Sequence, residues 1–240
     1  MKALLFVVFA TINFLGPNLS YAQILKEFDD PAVIKAKTLF LITHADKKWD
    51  IFGASKRGIE KAHSCMKSST PTVLLTDTNK SEDHFLRIKP DYLITSYAGE
   101  FHFKSMAEEV YMSGGFLELC LSFSKLHLLR QYMESSKKVL QLNFITDGIY
   151  GADLVMPTNH APLNDLVMST SKTQFIQYVT NWLEYQIVES ESVAIHQKLK
   201  IEVRLENKIL FQFGASRLEH SKKLIMNFIS SKTICETNAL

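Results

Sequence analysis

From Lys37 onward, short unbroken apolar runs alternate with longer stretches in which apolar residues return every three or four positions. The first run, Thr38–Thr43, has the composition of a strand buried on both faces. A loop, His44–Ala54, leads to a helical pattern over Ser55–Ser69, with Ile59, Ala62 and Met66 on one face and Lys56, Arg57, Lys61 and Lys67 on the others, and Pro71 stops it. Further strands are predicted at Thr72–Thr76, Asp91–Ser96, Glu109–Ser113 and Val139–Thr146, with a sixth at Leu166–Ser169. Helical spacing covers Gly115–Ser135 and Lys172–Val188, the latter with Phe175, Val179, Trp182 and Gln186 along one side. Strands separated by helices predict an α/β fold: a three-layer α/β/α arrangement around a mostly parallel sheet of about six strands.

After Ser190 the period changes to strict alternation. Ile201, Val203 and Leu205 are followed by a turn at Glu206–Lys208 and then by Ile209, Phe211 and Phe213, which is a hairpin pattern. With a third strand over Lys222–Ser231 this predicts a small antiparallel β appendage at 190–240, or an extension of the main sheet, behind a core at 23–189. Residues 1–22 have the layout of a signal peptide: a basic Met1-Lys2 head, an apolar run Ala3–Phe14 too short to span a bilayer, and Ser20-Tyr21-Ala22 before the expected cut. Gln23 follows that cut, so a lipid-anchored cysteine is not indicated. An exported protein, periplasmic or secreted, is expected, with no membrane contact after cleavage.

The formal charge of +2 includes Lys2, so the remaining chain is close to neutral and gives no reason to expect nucleic acid as a partner. The three cysteines are too few for a disulfide scaffold and odd in number, so at least one thiol stays unpaired within the chain. Cys65 on a helix and Cys235 in the tail read as structurally idle, which sets Cys120 apart. Neither a G-x-G-x-x-G nor a G-x-x-x-x-G-K-[ST] fingerprint occurs, and no cofactor is expected. A metal site on His44 and Asp46 would need a third ligand from Asp77, Asp147 or His160; solvated loop residues are the simpler reading, and no metal is expected.

Val110–Leu129 holds the candidate chemistry: a strand, Gly114-Gly115, and Cys120 at the start of a helix. Together with Leu142–Asp147 before Gly148, and Ser169–Thr173 before the last core helix, it resembles the isochorismatase-like cysteine hydrolases. That resemblance implies a thiolate that attacks a carbonyl or nitrile carbon, an aspartate that accepts and returns the proton, a lysine that balances charge, and backbone N–H groups that receive the oxyanion. Cys120 falls in the nucleophile's place. Thr43 and Ser96 stand where the aspartate and the lysine belong, which leaves Asp46 (or Asp50) and Lys104 as displaced candidates. His44, Ser96, Tyr97, Gly114, Gly115 and Tyr150 are the candidate substrate-binding residues. The resulting expectation is a small-molecule site around Cys120, catalytic by thiol attack on an amide-like or ester-like bond. The opposing one is a non-catalytic binding or interaction protein that has lost the triad. The family's self-association allows for a homo-oligomer.

Overall fold

The apolar runs become strands of a single sheet. The computed structural model describes residues 23–24, 33–45, 50, 53–77, 85–150, 162–184, 194–214 and 222–239; the expected leader and its cut after Ala22 lie outside them. In chain order the elements are β1 (Gln23–Ile24), β2 (Val33–Ile34), β3 (Thr38–Thr43), α1 (Ala54–Cys65), β4 (Thr72–Asp77), β5 (Tyr92–Ser96), β6 (Lys104–Ser105) and β7 (Glu109–Ser113). Then follow α2 (Cys120–Glu134), β8 (Val139–Ile145), a 3-10 turn (Thr146–Gly148), α3 (Leu163–Ser169), α4 (Lys172–Glu184), β9 (Lys200–Leu205), β10 (Lys208–Gly214), β11 (Lys223–Ile229) and α5 (Ser231–Asn238). Nine of the described strands form one sheet in the order β1-β5-β4-β3-β7-β8-β11-β9-β10. All its pairs are parallel except β9–β10.

The protein is thus an α/β protein with a mostly parallel sheet and a small antiparallel strand pair near its C-terminus. Leu39 and Leu41 of β3 enter the core on one face, while Phe40 and Ile42 enter the core on the other. The first core takes in Leu121 and Leu129 of α2, Leu163 of α3, and Phe175, Val179 and Trp182 of α4. The second takes in Ile59 and Ala62 of α1 and Ile234 of α5. An apolar run serves here because helices cover both faces of the sheet.

Two elements depart from the sequence reading. Leu166–Ser169 is the end of α3 rather than a strand: Leu163 and Leu166 are both buried, and their spacing of three residues suits one face of a helix. The place beside β8 goes to β11, in register from Lys223↔Val139 to Ile229↔Ile145, and β9 pairs with the other side of β11. The antiparallel pair β9–β10 is therefore the outer edge of the main sheet. Its turn places Glu206 at φ 47° and Asn207 at φ 65°, the doubly left-handed geometry that suits a two-residue hairpin.

The cysteines also pair unexpectedly. Cys65, at the end of α1, forms a disulfide with Cys235 of α5, joining positions 170 residues apart. The expectation that both are idle is corrected: packing of α5 against α1 brings their Cα atoms to 4.9 Å, which is bonding range. Cys120 is left as the thiol.

Candidate functional site

The chain lays down β3, β4 and β5 outward on one side, then crosses back to place β7 on the other side of β3. Beyond the carboxyl ends of β3 and β7 lies the switch in direction where open α/β sheets form a crevice. Gly114 and Gly115 make the exit from β7 possible. Both have positive φ, 73° and 56°, and a Cβ on Gly114 would come within 2.4 Å of the Thr43 carbonyl oxygen. The Gly114 N–H donates to the Gly148 carbonyl at 2.7 Å and the Tyr150 N–H to the Gly115 carbonyl at 2.9 Å, which fixes this exit against that of β8.

A turn through Phe116 and Leu117 separates the glycines from α2, so Cys120 is the first residue of the helix. Its Cβ lies where a side chain on Gly115 would touch it, at 3.1 Å, and its side chain is partly exposed. Leu119 gives α2 no side-chain cap and the first turn carries no acid, so the positive end of the helix dipole faces the crevice. One turn on, Ser124 is fully buried and donates to the Gly99 carbonyl at 2.8 Å. That uses its only proton. The Thr43 hydroxyl, 3.1 Å away, must then be the donor to Ser124. Thr43, Ser124 and the Gly99 carbonyl form a closed hydroxyl relay at the carboxyl end of β3.

Of the other expected site residues, Gly114, Gly115 and Cys120 come together, and His44 follows Thr43 with a left-handed backbone at φ 46°. Ser96, at the end of β5, is buried and donates to the Glu100 carbonyl at 2.6 Å, closing the Tyr97–Glu100 turn; Tyr97 is 75% exposed. Gly99 of that turn packs on the Cys120 carbonyl. Tyr150 is fully buried against the Phe116 ring, in the core and away from solvent. Asp46 lies outside the described residues. Asp50 is buried, and its carboxylate accepts from the Lys56 N–H at 2.6 Å, anchoring the start of α1.

Lys104 is corrected as the charge partner of Cys120. It is exposed on β6, which pairs with β2 just ahead of β3, at the amino end of the strands. Gln131, near the far end of α2, accepts from the Ser105 N–H and donates to the Phe103 carbonyl, both at 2.8 Å. Roughly 16 Å of helix separates that point from Cys120. Only the Tyr97–Glu100 turn of the link from β5 to β7 comes near the crevice. Beyond it Phe101 and Phe103 are buried in the core beside α2, stacked at 4.3 Å, so the link takes the layer position of a crossover helix.

Asp147, the acid after β8, is likewise taken up by the fold. It accepts from the N–H of Ser231 at 2.8 Å and from its hydroxyl at 2.5 Å, holding the start of α5. No group of three or more histidine, cysteine or acidic side chains that could hold a metal occurs among the described residues.

The sequence reading passed over a second polar cluster, between α2 and α4. Glu118 accepts from the Tyr178 hydroxyl at 2.5 Å, Trp182 donates to Ser122 at 3.0 Å, and Lys125 is fully buried with its Nζ 4.2 Å from the centre of the Trp182 ring. Burial alone pulls the Lys125 ammonium down to about 7. A signal was present: Lys125 falls between Leu121 and Leu129 at helical spacing, a charge written into an apolar stripe.

Fold and crevice together define a three-layer α/β protein with a thiol at its switch point. Comparison with protein-family models, with curated proteins and with solved structures gives no significant match. The likeness to the isochorismatase-like hydrolases therefore rests on the strand, glycine and cysteine pattern alone.

Proposed function

We propose that this is an exported protein, divergent from the isochorismatase-like hydrolases, whose crevice around Cys120 binds a small molecule without hydrolysing it. The observation that carries the reading is the relay from Thr43 to Ser124 to the Gly99 carbonyl. The hydroxyl in the base's position is already donating, and a threonine does not take a proton from a thiol near neutral pH. The placement of Lys104 supports it, since no charge from there reaches the thiol. Export is supported by the Cys65–Cys235 disulfide, a bond that persists in oxidising compartments.

A second reading, hydrolysis of an amide-like or ester-like bond by the Cys120 thiolate, draws on one observation: the thiol sits at the start of α2, which has no side-chain cap and where negative charge is favoured. Alkylation separates the two. With Cys65 and Cys235 bonded, iodoacetamide reports on Cys120 alone. For a binding protein the rate climbs with pH through the ordinary thiol range near ~8.5, and Asp46→Asn leaves it unchanged. A rate that is already fast and flat between about pH 6 and 8, and that Asp46→Asn lowers, would replace this proposal with the hydrolase.

A further inference from the structure

A cavity of about 510 Å³ lies between α4 and β10, lined by Leu183, His196, Phe211 and Phe213 among others. It sits beside the amino end of β9, whereas Cys120 is at the carboxyl ends of the strands. That volume is within the ordinary range for small-molecule sites. Its walls are largely apolar, and the Phe211 and Phe213 rings stack at 5.8 Å with 19° between their planes.

Two buried polar groups break that apolar character. His196 is only 6% exposed and lines the cavity, and neither ring nitrogen makes a well-formed hydrogen bond among the described residues; the Leu183 backbone offers one of them a weak interaction and leaves the other to the cavity. The Lys125 Nζ is likewise without a hydrogen-bond partner among them, and is fully buried. Leaving such groups unsatisfied costs stability unless something else supplies the partner. The field is positive: burial first, and then the Lys125 charge, pull the His196 imidazole down to about 3, with the Leu183 backbone opposing weakly. Glu118, the acid two residues ahead of α2, is engaged by Tyr178. The cavity therefore offers an apolar wall, a buried hydrogen-bond donor in neutral His196 beside the exposed amide of Gln197, and, outside the lining, the Lys125 group on the Trp182 ring, close enough for its charge to act on His196. A carboxylate on a hydrocarbon or aromatic body answers all three.

We propose that this cavity binds a small apolar or aromatic carboxylate, its body against Leu183, Phe211 and Phe213 and its carboxylate accepting a hydrogen bond from His196 under the charge of Lys125. The site is separate from the crevice around Cys120, and its occupation does not depend on what that crevice does.

The test is titration of the full chain, disulfide intact, with 2-naphthoate and with its neutral counterpart 2-naphthalenemethanol, followed by fluorescence and calorimetry. Naphthoate is expected to bind saturably and about tenfold or more tighter than the alcohol. His196→Leu and Lys125→Met each remove a buried polar group, so both are expected to fold; each should cost naphthoate about tenfold while leaving the alcohol within about threefold. Phe213→Ala, at a partly exposed wall position, should weaken both ligands, and Cys120→Ser neither. Equal affinity for the two ligands, no saturable binding of naphthoate, His196→Leu and Lys125→Met weakening both ligands alike, or loss of binding in Cys120→Ser would each overturn the proposal.

Discussion

Lys125 shows how one residue sets a cost that the rest of the molecule absorbs. Its ammonium has the face of Trp182 at 4.2 Å and no hydrogen bond among the described residues, so a cation–π contact opposes desolvation. The group titrates near 7 in the fold against 10.5 for an ordinary lysine. Between those values the unfolded chain binds more protons than the folded one, so stability rises with pH across that window; below about pH 7 the full penalty is present. Lys125→Met should therefore raise the melting temperature most at pH 6, by a margin that narrows toward pH 10. Its ceiling is about 5 kcal/mol, the value of roughly three and a half pKa units. A margin that does not vary with pH in thermal scans would show that Lys125 keeps an ordinary lysine pKa.

At the scale of elements, α5 is the piece whose attachments lie furthest from it in the sequence. Asp147 holds its first residue, Ser230 accepts from the Thr233 N–H as its cap, Asn238 donates to the Cys65 carbonyl, and Cys235 is bonded to Cys65. Linking positions 170 residues apart constrains the unfolded chain strongly. The chain-entropy relation puts the contribution at about 5 kcal/mol before any native strain is subtracted. Cys235→Ser, or reduction of the wild type, is expected to lower the urea midpoint by a large fraction of the total stability. An unchanged midpoint would mean that α5 is held by its cap and packing alone. The helix itself was not legible in the tail, where Ser230–Thr233 is the only local start signal. Nor was the disulfide, because three cysteines allow three pairings and nothing local chooses between them. The Cys120 element was legible, since strand, paired glycine and helix follow one another directly in the chain.

For the whole molecule, β11 matters most. The hairpin β9–β10 joins the sheet through it, since β11 pairs with β8 on one side and β9 on the other. Phe228 of β11 meets Phe144 at 5.3 Å and Phe175 at 5.3 Å, so the same strand joins sheet and α4. Asn227 continues the connection on the opposite face, donating to Asn143 at 3.0 Å and to Asn207 at 2.8 Å. Removing 222–240 should abolish cooperative unfolding of the entire chain, not of a C-terminal piece alone. A truncated protein that still melts in one sharp transition, followed by circular dichroism, would show a core independent of β11.

The sequence by itself determined the elements and the class. Unbroken apolar runs such as Thr38–Thr43 marked strands covered on both faces, the alternation after Lys200 marked a hairpin, and glycines before Cys120 placed that thiol at a helix start, although Leu166–Ser169, read as a strand, belongs to α3. Each is a property of neighbouring residues, set by backbone sterics and by a period of two or of nearly four. Tertiary structure decided the rest. It inserted β11 between β8 and β9, paired Cys65 with Cys235, carried Lys104 to the far end of α2, used up Asp50 and Asp147 on helix starts, and buried Lys125 beside Trp182. Those outcomes depend on which distant surfaces bury each other best, and no local pattern along the chain records that competition.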